Sequence, residues 1–199
     1  RERLAFSPEQ TRTALGRFRS EFPEVEVVLL STCNRIELYT ASENVEGPGV
    51  GPLAEFLARF HGWEPEALRP LLCRLDAEDA VRHLFTVTSS LDSMVVGEPQ
   101  ILFQVKQAYQ WAVEGQTAGP LLHTAFQAAL RVARRVAGET TIQQRRVSIP
   151  SVAVTDFAHQ IFERFDDKNV LVLGAGEMAE ETVRYLRDEG ARDVTIVNR

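Results

Sequence analysis

Cysteine is scarce: the 199-residue chain has two, Cys33 and Cys73. Two cannot build a disulfide framework, and no Cys/His spacing of a metal site accompanies them, so no metal is expected. Long hydrophobic runs are missing as well. Nothing approaches the about 18 consecutive apolar residues of a membrane span. The N-terminal twenty residues carry Glu2, Arg12, Arg17 and Arg19 among few apolar ones, which is not a signal-peptide pattern. A cytoplasmic protein is the expectation. Positive charge is also short, with a formal net charge of −6. A protein living by nonspecific nucleic-acid binding is expected to be basic. Composition therefore gives such a partner no support, although a local patch could still serve one.

What is present is ordinary in bulk and particular in detail. Hydrophobic residues make up 44% and charged residues 25%, as in a soluble globular protein. The length allows one or two domains with a real core. The chain begins at Arg1 rather than Met and stops at Arg199, at the end of an apolar strand pattern. Neither end reads as a natural boundary, so a piece of a longer protein is expected.

The most informative stretch is Ser31-Thr32-Cys33-Asn34-Arg35-Ile36-Glu37. It lies between the apolar run Val25–Leu30 and Leu38-Tyr39-Thr40, both of which read as strands. A thiol then sits on a strand-end loop with a guanidinium two residues on. Rigidly mounted loops are where chemistry is usually placed. A neighbouring Arg favours the thiolate, which is the nucleophile. A lone Cys is also commonly a small buried hydrophobe, and composition leaves both readings open.

Around this loop the chain alternates helix and strand. Ser7-Pro8-Glu9-Gln10 opens a helix, with Ser7 as cap, Pro8 at the first helical position and Gln10 completing a capping box. Glycines and prolines between Glu46 and Pro52 mark a loop. Leu53, Phe56, Leu57 and Phe60 follow at helical spacing. Asp76 is a cap for a helix through Val81, Leu84, Phe85 and Thr88. That helix carries His83, which reads either as a structural residue or as a general acid or base. Pro99 suits a helix start, Glu98 lies at its positive dipole end, and Gln100 and Gln104 share a face. Leu122, Ala125, Ala129, Val132 and Val136 mark another helix. Its Arg131, Arg134 and Arg135, with Arg145 and Arg146 beyond, form the strongest basic cluster, either a solvated face or a set of phosphate contacts. A polar stretch from Glu139 to Arg146 reads as a linker, and a further helix starts near Ser148. The expected organisation is two domains, residues 1–143 and 144–199.

Asn169–Leu173 is an unbroken apolar strand, as expected in a parallel sheet. Gly174-Ala175-Gly176-Glu177-Met178-Ala179 follows directly, then a helix with Val183 and Leu186, then the strand Val194–Val197. This is the dinucleotide fingerprint in its strand–helix–strand context. Gly174 permits the tight turn, Gly176 lets backbone approach a pyrophosphate, and Ala179 allows close helix packing. The second strand ends at Asn198-Arg199 with no acid for a ribose hydroxyl, which favours NADP(H) over NAD(H). A loop thiol, an Arg, a His and an NADPH site fit one class, a thioester-forming oxidoreductase.

Three stretches resemble the glutamyl-tRNA reductase family: Ser31–Tyr39, Ser90–Leu102 (Ser-Leu-Asp-Ser-Met-Val-Val-Gly-Glu-Pro-Gln-Ile-Leu), and the glycine turn at Gly174. They occur in the family's order. The resemblance implies a ferredoxin-like α+β catalytic domain with added helices, followed by part of a Rossmann domain: α+β, then α/β. It implies NADPH-dependent reduction of glutamyl-tRNA to glutamate-1-semialdehyde, the first step of five-carbon tetrapyrrole (porphyrin) synthesis. Cys33 would be the nucleophile and His83 its assistant, as proton donor or as support for the thiolate. Arg35 would hold the glutamyl side-chain carboxylate, with Thr32 and Asn34 on the same loop. Ser93, Glu98, Pro99, Gln100 and Gln104 would be substrate contacts. Ser90 and Phe103 depart from the pattern, standing where the family usually has glycine. The family also has a strand before Arg1 and a long helical dimerisation domain after the cofactor domain. A homodimer of the full-length protein, and an aminotransferase that takes up the unstable aldehyde, are implied partners, while residues 1–199 alone are expected to be nearly inactive. Two rival readings are an NADP-dependent dehydrogenase of a small aldehyde or alcohol with a structural Cys33, and a redox-sensing binding module.

Overall fold

The computed structural model describes residues 4–43, 47–93, 96–142 and 149–198. Met94, Val95, Arg145, Arg146 and Arg199, and the starts expected at Glu46 and Ser148, lie outside the described residues. The chain divides into two compact units, Arg1–Ser93 with Pro99–Thr140, and Met94–Glu98 with Thr141–Arg199.

The first unit is α+β. Helix α1 (Pro8–Glu21) begins with the expected capping box: Ser7 Oγ accepts from the Gln10 N–H, and the Gln10 side chain accepts from the Ser7 N–H. Strands β1 (Glu26–Ser31) and β2 (Ile36–Ala41) pair antiparallel, with Glu26 opposite Ala41 and Ser31 opposite Ile36. Then come α2 (Val50–His61), a short α3 (Pro65–Leu68), a 3₁₀ turn (Arg69–Leu71), α4 (Ala77–Thr88), α5 (Pro99–Glu114) and α6 (Pro120–Glu139). Among the described residues the β1–β2 hairpin is this unit's whole sheet.

Four successive β1 residues, Val27–Leu30, are buried, because helices cover both faces of that strand. Leu15 and Phe18 of α1, Phe56 of α2, Leu84 of α4, Val105 of α5 and Phe126 of α6 meet around it. Phe126 links the sheet to α5: its ring lies edge-on to Tyr39 at 5.3 Å and stacks on Tyr109 at 5.6 Å. Helix α6 starts without a side-chain cap from its own N-cap residue, Gly119. Glu26 of β1 supplies one from 95 residues away, accepting the Leu121 N–H at 3.1 Å and the Leu122 N–H at 2.7 Å.

Two local expectations change. Asp76 sits at the N-cap position of α4 but makes no cap hydrogen bond; its Oδ1 is taken by Arg74 Nε at 2.7 Å. Ser90 is buried at φ 60°, in the left-handed region. That is where glycine fits without cost, which accounts for the glycine expected at this place.

The second unit contains α7 (Ile149–Ser151), a π-helical stretch (Val152–Ala158), α8 (His159–Ile161), β3 (Asn169–Leu173), α9 (Glu177–Asp188) and β4 (Asp193–Val197). Strands β3 and β4 pair parallel, Asn169 opposite Asp193 and Leu173 opposite Val197, on either side of α9. The regular helix expected over 148–162 is thus interrupted by the wider π turn. Val154 is buried, but Phe157 and Ile161 are exposed. Strand β3 is not buried on both faces. Val170 and Val172 pack on Val154, Phe165, Leu186 and Ala191, whereas Leu171 and Leu173 face outward. Gly97 belongs to this unit at φ 90°, and a Cβ there would collide with the Ile142 carbonyl.

Candidate active site

The register of β1 and β2 leaves residues 32–35 as a four-residue connection. Thr32 closes it. Its N–H donates to the Arg35 carbonyl at 2.8 Å, and its Oγ1 accepts from the Asn34 N–H at 3.1 Å and the Arg35 N–H at 3.0 Å. The backbone donors after the thiol are thereby satisfied inside the loop, and Cys33 stands exposed at its tip. An exposed thiol on a tied loop is not a core cysteine, so the small-molecule dehydrogenase with a structural Cys33 is not favoured.

Arg35, Glu37 and Tyr39 are two apart along the hairpin and share one side of it. Their side chains converge. Glu37 Oε1 accepts from Arg35 Nη1 at 3.1 Å and from His83 Nε2 of α4 at 2.9 Å. Glu37 Oε2 accepts from the Tyr39 hydroxyl at 2.5 Å. Burial first, and then the Glu37 carboxylate, push the Tyr39 phenol far above its ordinary value, so it remains a neutral donor. The other side of the Arg35 guanidinium is held by Asp92, through its carboxylate at 3.2 Å and its main-chain carbonyl. His83 is thus tied to the thiol-bearing hairpin through Glu37, and among the described residues its Nδ1 makes no hydrogen bond. Arg35, which the family resemblance assigns to a substrate carboxylate, is engaged by two carboxylates of its own chain. Glu37, Tyr39 and Asp92 were not singled out from the sequence. The alternation Arg35, Glu37, Tyr39 against Ile36 and Leu38 was the signal that could have marked the first two.

The remaining expected contacts are more scattered. Ser93 accepts from the Ser90 hydroxyl at 3.5 Å. Pro99 opens α5, with Gln100 exposed and Gln104 half-buried. Among the described residues no hydrogen bond joins these two amides to the hairpin. Glu98 belongs to the second unit, where burial and then Glu181 raise its carboxyl above the usual range.

The glycine turn joins β3 to α9. Gly174 adopts φ 114°, and its N–H donates to the Val197 carbonyl at 2.7 Å, tying the turn to the end of β4. Nothing lies within 4 Å of a Cβ built at Gly174 or Gly176. Helix α9 has Gly176 at its N-cap and no side-chain cap, which leaves first-turn N–H groups for a ligand. An open glycine turn feeding an uncapped helix N-terminus fits a dinucleotide pyrophosphate. Ala179 is half-buried, Met178 and Asn198 are exposed, and the Glu177 backbone opens the helix. Among the described residues no group of His, Cys, Asp and Glu could hold a metal ion, and no helix is long and apolar enough to cross a membrane.

An α+β unit presenting a thiol on a tied hairpin loop, followed by a strand–glycine turn–helix–strand unit, defines a class of two-unit protein that combines an exposed thiol with a dinucleotide-type turn. A family model described as "Glutamyl-tRNAGlu reductase, N-terminal domain" matches residues 1–140, and one described as "Shikimate / quinate 5-dehydrogenase" matches residues 156–199. The chain belongs to the glutamyl-tRNA reductase family. It is 44% identical over its whole length to a glutamyl-tRNA reductase of Rhodopirellula baltica, covering 47% of that protein. It is 48% identical to one of Rubrobacter xylanophilus, covering 100% of this chain and 46% of that protein. The solved structure of a glutamyl-tRNA reductase from Methanopyrus kandleri matches with a TM-score of 0.59 and 34% identity, over 100% of this chain and 45% of that one. The chain therefore spans just under half the length of the curated relatives it matches.

Proposed function

We propose that this chain carries the acyl-accepting site and the cofactor turn of an NADPH-dependent glutamyl-tRNA reductase, which makes glutamate-1-semialdehyde for tetrapyrrole synthesis. The observation that carries the reading is the exposed Cys33 on a Thr32-closed loop, one hairpin face away from the Arg35–Glu37–His83 network. Cys33 Sγ attacks the ester carbonyl carbon of the glutamyl group. A C–S bond forms, the C–O bond to the terminal ribose breaks, and the ribose oxygen takes a proton. His83, oriented by Glu37 through Nε2, takes the Cys33 thiol proton at Nδ1 and passes it to that oxygen. The Gly174–Ala179 turn would hold NADPH, with Asn198 and Arg199 as the proposed ribose-side residues, and the cofactor would supply the hydride that reduces the thioester. The aldehyde then leaves and the Cys33 thiolate is restored. Arg35 receives the glutamyl side-chain carboxylate if Asp92 yields its place, and Ser93, Glu98, Pro99, Gln100 and Gln104 complete the substrate contacts. A cytoplasmic location, a homodimer of the full-length protein and an aminotransferase receiving the aldehyde belong to the same proposal.

The test is acylation without NADPH. Full-length protein is mixed with glutamyl-tRNA labelled on the amino acid, quenched in acid and mapped. Label at Cys33, absent from Cys33→Ser, is the expected result. Bound tRNA with no label on either protein would move the chemistry away from Cys33.

A further inference from the structure

We infer that the seam between α5 and α6 is a track for single-stranded RNA, in which Phe103 stacks on a base and Lys106 and Arg134 contact phosphates. The inference rests on the proposed aminoacyl-tRNA substrate, whose unpaired 3′ end is the occupant.

The seam holds a groove of about 260 Å³ lined by Pro99, Leu102, Phe103, Lys106, Leu130 and Arg134. Three features single it out. Phe103 is 63% exposed, a whole phenyl face left in water at the groove edge. The groove floor, Leu102 and Leu130, is apolar. The third feature is charge. Every other Arg side chain described in the first unit lies against a carboxylate, an amide or an aromatic ring, apart from Arg131. Among the described residues of that unit, the cations with no such partner are Lys106, Arg131 and Arg134, all on α5 and α6. Arg135, beside them, is neutralised by two bonds to Glu139 and is not part of the site.

In an acidic chain, a first unit whose described cations without such a partner all lie on α5 and α6, two of them lining the groove, has a local electrostatic footprint for a polyanion there. The exposed Phe103 ring in the same groove points to a nucleic acid with accessible bases, because stacking needs an unpaired base face. The seam continues along α6 at helical spacing through Gln127 and His123. There Tyr109 Oη meets His123 Nδ1 at 2.7 Å and accepts from Gln127 Nε2 at 3.3 Å. A second aromatic with hydrogen-bonding neighbours thus lies farther along the same line.

The test is fluorescence anisotropy of the full-length protein with a labelled short single-stranded RNA ending in CCA, over a salt series. A blunt RNA duplex and a glutamate-rich peptide are the comparison ligands. Phe103→Ala is expected to weaken binding by about fivefold or more with the salt slope unchanged, and Phe103→Tyr to restore it. The Lys106→Gln/Arg134→Gln double variant is expected to lower the slope of log K against log salt by about 1.4, for two phosphates of a single strand. Arg69→Gln, a cation paired with Glu66, should change neither. Unchanged affinity in Phe103→Ala, an unchanged slope in the double variant, or tighter binding of the duplex or the peptide would overturn the inference. Cys33 labelling by glutamyl-tRNA is read separately. Label on the wild type with RNA binding indifferent to Phe103 removes the seam alone. Seam-dependent RNA binding without label removes the reaction and leaves the RNA site standing.

Discussion

Glu37→Gln is the most informative perturbation. The substitution keeps the shape of the side chain but replaces a carboxylate that accepts from three donors with an amide that has one acceptor oxygen. If that oxygen stays with Arg35 and His83, the amide nitrogen faces the Tyr39 hydroxyl and the shortest bond is lost or reversed. Hydrogen bonds to a charged group are worth about 1.5–3 kcal/mol each. The side chains of Arg35, Glu37 and His83 are 16%, 17% and 29% exposed, so the heavy discount due to surface pairs does not apply to them. It does apply to Asp92, at 56%. Because the bonds share one acceptor their losses do not add, and the expected cost is about 2–3 kcal/mol. At about 2–4 °C per kcal/mol for a chain of this size, Tm falls by about 4–12 °C. A double-mutant cycle with His83→Gln should show coupling of about 1 kcal/mol or more. Acylation of Cys33 should slow while affinity for tRNA holds. A Tm within about 1 °C of wild type, together with coupling below about 0.3 kcal/mol, would refute the hub.

Three further outcomes are expected. Glu26→Gln removes the charged cap of α6 and should cost about 1 kcal/mol, read as a lower urea midpoint with unchanged slope; an unaltered midpoint would mean that water replaces the cap. Gly97→Ala meets both a left-handed backbone and the Ile142 carbonyl, so amide exchange across the second unit should quicken by about tenfold or more, for about 1–2 kcal/mol, while that of the first stays as it is. His61 has a buried Nε2 with no hydrogen-bond partner among the described residues, and burial lowers its pKa below 6.5. The unfolded chain then takes up a proton before the folded one. Stability is full above pH 6.5 and is lost as pH falls toward the lowered value. The urea midpoint should therefore drop between about pH 7.5 and 5.5 in wild type and drop less in His61→Phe; equal drops would remove His61 as the cause.

How much of this was legible follows from the range of each interaction. The α1 capping box is confined to four residues, and Ser7, Pro8 and Gln10 spelled it out. Phe56 and Leu57 announced the buried face of α2 by spacing alone. The glycine turn was equally local. The thiol-bearing hairpin was half legible: the loop and its thiol could be read, but the partners of Arg35 could not. Glu37 reads as an ordinary polar strand residue until His83, 46 positions later, reaches it. Asp92 is 57 positions from Arg35. Asp76 failed as a cap because a nearby Arg74 competed for the same carboxylate. The parallel pairing of β3 was legible in its unbroken apolar run, whereas the exposure of Leu171 and Leu173 was not, because such a run does not say how many faces are covered.

Glu26 binds the beginning of α6 to the strand that leads into the thiol loop. Since α6 has no cap of its own at that end, its first turn depends on β1 being in place. A segment spanning 95 residues must therefore close before α6 is fully formed, and anything that frays β1 withdraws the cap at the same time. Opening of the strand that leads into the thiol loop and fraying of the first turn of α6 are thereby coupled, by about the 1 kcal/mol that the cap contributes. A loosening at Glu26 is thus felt at both the thiol loop's strand and the start of α6, while the later turns, with Arg131 and Arg134, are held by the burial of Leu130 and Ala133.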